Sequence, residues 1–253
     1  MLKSSLAQGG PLLERLRRPD VRMTVLTGAG VSAASGVPTF RGADGLWKNF
    51  RPETLATAEA FGRDPKLVWE WYAWRRGLIA ACEPNPAHRV LAEWSKHFPN
   101  FRLITQNVDG LHERAGTSHI IRLHGSIWEV SCWRACANSP KRWRDETLSF
   151  AELPPKCPDC GGMVRPGVVW FGETLESDVV QQASEATECD VFIIVGTSAI
   201  VYPAAGFITA ARQNGAFTVE INPEATAATR TVDLALTGVA EELLPDIDRQ
   251  ISA

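Results

Sequence analysis

Four apolar runs constrain this chain more than any other feature: residues 23–26, 101–105, 191–195 and 217–221. Each is close to continuous rather than alternating, the pattern of a strand covered on both faces. Helical patterns at 177–188 and 203–214, the second closed by Gly215, precede the last two runs. Strand–helix alternation of this kind implies an α/β fold with a doubly wound parallel sheet. Every run leads into a polar or glycine-bearing loop, at 28–42, 106–109, 196–198 and 222–224. Ligands of such sheets bind beyond the carboxyl ends of the strands, so these four loops are expected to converge on one site. Between the first two runs lies a tryptophan-rich stretch without a clear strand. Asp64-Pro65 and Asn85-Pro86 each mark a helix start there, with a capping side chain before a proline in the first turn. That stretch is expected to be a helical insertion.

The first loop reads Gly28-Ala29-Gly30-Val31-Ser32-Ala33, with a third glycine only at Gly36. Glycines after a buried strand let backbone N–H groups approach a pyrophosphate, and the following helix is expected to present its N-terminus. The spacing is not that of the oxidoreductase fingerprint, because position 33 is alanine. A tight turn uses the same residues, so the loop alone leaves both readings open. The 253 residues suffice for one large domain with an insertion. A net charge of −3 argues against a nucleic-acid partner. No apolar run approaches membrane-spanning length and no leader pattern precedes the first strand, so a cytoplasmic protein without membrane contact is expected.

Among six cysteines, Cys132 and Cys136 stand four apart, and Cys157 and Cys160 follow after 20 residues. Two close pairs suit tetrahedral zinc, and four protein ligands leave no open position, so such a metal is structural. Unmetallated pairs, or zinc on part of the set, also fit the spacing. Cys82 and Cys189 sit alone among apolar residues and are expected to be buried thiols. Of the five histidines, His88, His97, His112 and His119 read as solvated positions. His124 follows an apolar-rich run and meets Gly125, which places it at a strand end near the loops, where imidazole serves as a general base. Gln106, Asn107 and Asp109 offer amides and a carboxylate suited to ribose and a carboxamide, although an ordinary turn uses such residues too.

Taken together and in order, the glycine loop, Pro38-Thr39-Phe40-Arg41-Gly42, Thr105-Gln106-Asn107-Val108-Asp109, Leu123-His124-Gly125-Ser126, the four cysteines, Val169-Trp170-Phe171-Gly172-Glu173, Gly196-Thr197-Ser198, Tyr202-Pro203 and Asn222-Pro223-Glu224 resemble the motif set of the sirtuins. The resemblance runs from residue 27 to about residue 240. It implies an NAD-dependent protein lysine deacylase. The implied fold is a Rossmann-like parallel sheet domain (1–42, 99–125 and 165–253) with a smaller domain made of a helical insertion (43–98) and a zinc ribbon (126–164). NAD is then consumed: the acyl oxygen attacks the ribose carbon that bears nicotinamide, His124 activates a ribose hydroxyl, and the products are nicotinamide, free lysine and O-acyl-ADP-ribose.

By the same resemblance, residues 28–47 wrap the pyrophosphate and its ribose, through Gly28, Ala29, Gly30, Ser32, Ala33, Phe40, Arg41 and Trp47. Gln106, Asn107 and Asp109 serve the nicotinamide half, with Asn107 counted beside His124 as catalytic. Gly196, Thr197, Ser198, Asn222, Pro223, Glu224 and Ala240 serve the adenosine half. Val169 and Phe171 belong to a segment that pairs with the acyl-lysine protein or peptide by strand addition. Cys132, Cys136, Cys157 and Cys160 hold zinc, with one more residue inside the first pair than is usual. Tyr72 and Arg75 stand three apart on a predicted helix and share a face. They look like the Tyr-x-x-Arg signature of desuccinylase and demalonylase sirtuins, with the small Ala56 leaving room for a longer acyl chain. An aromatic core residue beside a solvated arginine is the plainer reading of the pair, and the adjacent Arg76 reads as such an arginine. ADP-ribosyl transfer or NAD hydrolysis by the same site is the alternative activity. A non-catalytic binding module has no use for His124.

Overall fold

The computed structural model describes residues 10–38 and 52–252. A short helix α1 (Gly10–Leu16) leads into β1 (Arg22–Thr27) and a 3-10 helix (Ala29–Ser35). Helices α2 (Pro52–Leu55), α3 (Ala58–Arg63), α4 (Pro65–Ala80) and α5 (Pro86–His97) precede β2 (Asn100–Thr105), α6 (Leu111–Arg114) and β3 (Ile120–Arg122). Next come β4 (Gly125–Cys132), β5 (Trp143–Arg144) and β6 (Val164–Val168). The chain continues through α7 (Ser177–Glu185), β7 (Val191–Val195), α8 (Ala204–Gln213), β8 (Phe217–Asn222), β9 (Leu234–Thr237) and α9 (Ala240–Ile251).

The four apolar runs are the four central strands of a parallel sheet ordered β3-β2-β1-β7-β8-β9. β1 pairs on one side with β2, Val25 opposite Leu103, and on the other with β7, Val25 opposite Ile193. The chain therefore leaves β1 toward one edge and later returns along its other side. That reversal opens a crevice at the carboxyl ends of β1 and β7. Successive residues of these strands feed opposite layers. Met23, Val25 and Ile193 pack with Leu12 of α1, Leu91 and Trp94 of α5, and Leu243 of α9. Leu26, Phe192 and Ile194 pack with Ala183 of α7 and Phe207 of α8. Each buried valine, leucine, isoleucine, methionine or phenylalanine here contributes about 1.5–3 kcal/mol by leaving water. Helix α5 falls within the expected 43–98 insertion, yet its apolar face lies in the sheet core, because Val90, Leu91 and Trp94 repeat at helical spacing toward the strands.

A separate core lies outside the sheet. There Phe61, Trp69, Trp71 and Tyr72 of the helical segment meet Ile127, Val130 and Val164 of a small antiparallel sheet ordered β5-β4-β6. The capping signals read from the sequence are in place. Asp64 accepts from the Leu67 N–H at 2.9 Å, and Asn85 accepts from Ala87 N–H at 3.0 Å. Polar side chains also fasten this region: the Trp69 indole donates to the Val164 carbonyl at 2.7 Å. Arg76, expected to be an ordinary solvated arginine, is instead fully buried and bonded to Asp145 at 2.6 Å. Its position on α4 turns it toward the small sheet rather than toward water. Cys82 and Cys189 are buried thiols, as their surroundings implied. Among the described residues no helix is long and apolar enough to cross a membrane.

Candidate active site

The loops at the carboxyl ends of β1, β2, β7 and β8 surround one cavity of about 1280 Å³. Gly28, Ala29, Gly30 and Ala33 line it from the first loop, Gln106 and Asn107 from the second, Gly196, Thr197 and Ser198 from the third, and Asn222, Pro223 and Glu224 from the fourth. Ala240, His124, Val169, Phe171, Tyr72 and Arg75 line the same cavity. Phe40, Arg41 and Trp47 lie outside the described residues, as does Thr39. Ser32 and Asp109, expected to touch the cofactor, are buried behind the cavity wall. The Ser32 hydroxyl donates to one Asp109 carboxylate oxygen at 2.8 Å, and the other oxygen accepts from the Leu111 N–H. These bonds tie the two loops together.

The glycines have a packing role as well. A Cβ on Gly28 would lie 2.7 Å from Thr197 Cβ, and one on Gly30 would lie 2.8 Å from Gly196 Cα and its carbonyl oxygen. The N–H groups of Gly28 and Gly30 are already bonded, to the Val195 and Gly196 carbonyls. These glycines thus admit the neighbouring backbone of the 196–198 loop, and Gly28 caps a seven-residue 3-10 helix that contains Gly30. Close packing of the two loops across the crevice is what shapes the floor of the cavity.

His124 follows β3 and immediately precedes β4. Its Nδ1 lies 3.0 Å from the Gln106 carbonyl, which only accepts, so Nδ1 carries the proton and Nε2 keeps its lone pair. Burial lowers its pKa below 6.5, against the raising effect of that hydrogen bond, which favours the neutral form a base needs. Asn107 donates through Nδ2 to the Gly28 carbonyl at 3.1 Å and to Ser32 Oγ at 3.2 Å, leaving its carbonyl oxygen for a ligand. The Gln106 amide donates to Thr197 Oγ1 at 2.9 Å, and the Asn222 amide donates to the Thr197 carbonyl at 2.9 Å. Three loops are thereby cross-linked at Thr197.

On the other side of the cavity, the Trp170 indole donates to the Tyr72 hydroxyl at 2.9 Å, which frees the phenolic proton for another acceptor. Burial pushes the Tyr72 pKa up to about 12. The half-buried Arg75 guanidinium lies 4.8 Å from the Trp71 ring centroid. The 169–173 segment is already tied internally: Val169 N–H donates to the His124 carbonyl and Phe171 N–H to the Ala56 carbonyl, both at 2.9 Å. An added strand therefore meets an edge with some donors spent.

His88 and His112, read from the sequence as solvated, are buried with their rings 4.8 Å apart. His88 completes the α5 capping box with Asn85 and faces Ser32 Oγ at 3.4 Å, while His112 Nε2 faces Thr27 Oγ1 at 3.1 Å. Burial lowers the His88 pKa to about 4, and burial together with His88 holds His112 well below 6.5. The third residue of the Asn85-Pro86 helix start was the available signal for His88. Glu220 carries no comparable mark in the sequence. Buried on β8, it accepts from the hydroxyls of Thr226 and Thr229 and orders the loop whose residues 225–227 line the cavity.

The sulfur atoms of Cys132, Cys136, Cys157 and Cys160 all lie within 4.8 Å of one another, with Cys132–Cys160 at 3.6 Å and Cys136–Cys157 at 3.8 Å. A tetrahedron of Zn–S bonds about 2.3 Å long has edges of about 3.8 Å, so the set fits zinc. The extra residue of the first pair is absorbed where Ala135 turns to φ 47°.

Fold and site together define a nucleotide-binding α/β protein whose cavity joins a neutral histidine to amide-bearing loops. The Sir2 family model matches residues 28–203, well over half of the chain. An NAD-dependent protein deacylase of Aquifex aeolicus is 55% identical over 216 residues, covering 85% of this chain and 89% of that protein. Among solved structures, a Sir2 homolog–NAD complex superposes with a TM-score of 0.89 at 45% identity, covering 96% of this chain and 93% of that one. A mutant Sir2 homologue bound to 2'-O-acetyl ADP ribose gives 0.89 at 44% identity, covering 96% of each chain. The chain belongs to the Sir2 family.

Proposed function

We propose that this chain, a Sir2-family NAD-dependent protein deacylase, removes acidic acyl groups, succinyl and malonyl, from lysine side chains in preference to acetyl, which it also accepts. The observation that carries the preference is that Tyr72 and Arg75 line the same cavity as His124. Arg75 supplies a forked cation for a carboxylate, and Tyr72 a hydroxyl that accepts from the Trp170 indole and so keeps its own proton to donate. Both come from the 43–98 insertion, so in this reading the insertion and the ribbon serve the acyl side while the sheet serves NAD.

In the same reading Gly28, Ala29, Gly30, Ala33, Thr197, Ser198, Asn222, Pro223, Glu224 and Ala240 hold NAD, and the Asn107 carbonyl orients its nicotinamide ribose. His124 takes the proton of a ribose hydroxyl on Nε2, the nitrogen that the Gln106 carbonyl leaves unprotonated. The acylated peptide lies along 169–173. Zinc, held by the four thiolates, fixes the ribbon and takes no part in the chemistry. Arg75→Met is expected to lower turnover of a succinyl-lysine peptide about 10- to 100-fold, the worth of one charge-assisted hydrogen bond, with acetyl-lysine turnover retained. Equal losses on both peptides would refute the assignment.

A further inference from the structure

Among the described residues of the helical segment, Arg76 is the charged residue most completely hidden, with none of its side chain exposed. It follows Arg75 on α4, and one step along a helix turns it about 100° away from the cavity. Its Nε donates to the Ile127 carbonyl at 2.8 Å. Its Nη1 donates to Asp145 at 2.6 Å and to the Thr147 carbonyl at 3.1 Å. Among the described residues Nη2 has no hydrogen-bond partner, and the guanidinium lies among the rings of Trp69, Trp128 and Phe150 at 5.5, 6.0 and 5.6 Å. A buried cation costs several kcal/mol to desolvate unless its bonds are well made, so this one marks a joint held in fixed geometry.

What the joint connects is specific. Ile127 and Trp128 belong to β4, which begins directly after His124. The Ile127 N–H donates to the Val108 carbonyl at 2.9 Å, and the Trp128 indole donates to the Asp109 carbonyl at 2.6 Å. β4 is thus bolted to the 106–109 loop that carries Asn107, and Arg76 bolts α4 to β4. Arg75 is its immediate neighbour and Tyr72 lies one turn earlier.

We propose that Arg76 is a positioning residue for acyl selectivity: anchored by Asp145 and the Ile127 carbonyl, it sets the register of α4 against β4 and hence the distance from the Tyr72–Arg75 pair to His124. This rests on the acyl-pocket reading above. An acidic acyl group must span that distance to reach both its clamp and the reacting centre, whereas an acetyl group ends before the clamp. Misplacing the clamp therefore penalises the longer group alone.

The test compares Arg76→Lys, Asp145→Asn and Arg75→Met, each assayed on one peptide sequence bearing succinyl-lysine or acetyl-lysine, with thermal melting alongside. Lysine keeps the charge but lacks the fork that reaches two directions at once. Asp145 is partly exposed, so its isosteric amide keeps the test alive if Arg76→Lys does not fold. The succinyl-peptide KM is expected to rise about tenfold in Arg76→Lys and about threefold in Asp145→Asn, with kcat and the acetyl-peptide KM within about twofold of the parent. A merely structural arginine would lower both activities in step with melting temperature, or neither, and either result overturns the proposal. If Arg75→Met collapses the succinyl-to-acetyl ratio while the other two leave it intact, the positioning role alone fails. If Arg75→Met leaves the ratio unchanged, the acyl pocket itself fails and this inference falls with it.

Discussion

The sheet and the insertion–ribbon unit are held together by different means. In the sheet, continuous strands such as β7 place residue after residue in the core, and the site arises at their ends almost as a by-product. In the other unit the apolar cluster is interrupted by single polar fasteners: a buried arginine, a tryptophan N–H on a carbonyl, and four thiols drawn together. The sheet resists local change because many equivalent contacts share the load, whereas the insertion–ribbon unit depends on a few that have no substitutes. The active-site cavity lies between them and draws His124 and the NAD-side loops from one and Tyr72 and Arg75 from the other.

Removing metal should divide the two regions most sharply. Structural zinc contributes folding free energy on the order of 10–16 kcal/mol to small sites, so chelation is expected to abolish deacylation. NAD titrated into the chelated protein should still bind the sheet side. Equal loss of NAD binding and turnover would break the comparison.

Next in size is His124→Ala. Loss of a general base is expected to slow acyl removal by about 10²- to 10⁴-fold while NAD affinity stays within a few-fold. In the parent, the acid limb of kcat/KM should fall at a pH below 6.5, because burial lowers the pKa of this base. A limb above 6.5 would mean that another group titrates.

The sheet side has a concealed polar pair of its own, and pH reaches it. His88 is neutral in the fold, with burial taking its pKa from 6.5 down to about 4. The unfolded chain therefore binds the proton more readily. The stabilisation is complete above pH 6.5 and is lost as pH falls toward 4, amounting to about 3 kcal/mol. Urea melts at pH 7 and pH 4.5 measure it. A flat profile would place His88 in contact with water.

The smallest effect concerns a helix start beside the cavity. The Thr57 hydroxyl accepts from the Ala60 N–H at 3.0 Å, and Thr57→Ala is expected to cost about 1 kcal/mol. Thermal melting of the variant should show a drop of a few degrees with no change in NAD affinity.

The sheet was legible because its signal is local and repeated: apolar runs of strand length, each ending in a polar loop. The cysteine set was legible because metal spacing is written along the chain. Arg76, His88 and Glu220 were not, since their burial depends on what arrives from Asp145, Ser32 and Thr226, 69, 56 and six residues away. No local mark separates Arg75, which faces the cavity, from Arg76, which faces the core. Gly28 and Gly30 serve a close approach of two loops, which demands the same residue as a phosphate cradle, so the sequence alone does not separate the two uses.

The central claim is that one cavity joins an NAD-consuming site to a clamp for acidic acyl groups. One peptide carrying succinyl-lysine or acetyl-lysine, with and without NAD, tests it directly by nicotinamide release and peptide mass. The account predicts NAD-dependent loss of succinyl with a kcat/KM at least about tenfold above that for acetyl. Acetyl loss at equal or greater efficiency would contradict the clamp, and nicotinamide release with both peptides intact would contradict deacylation itself.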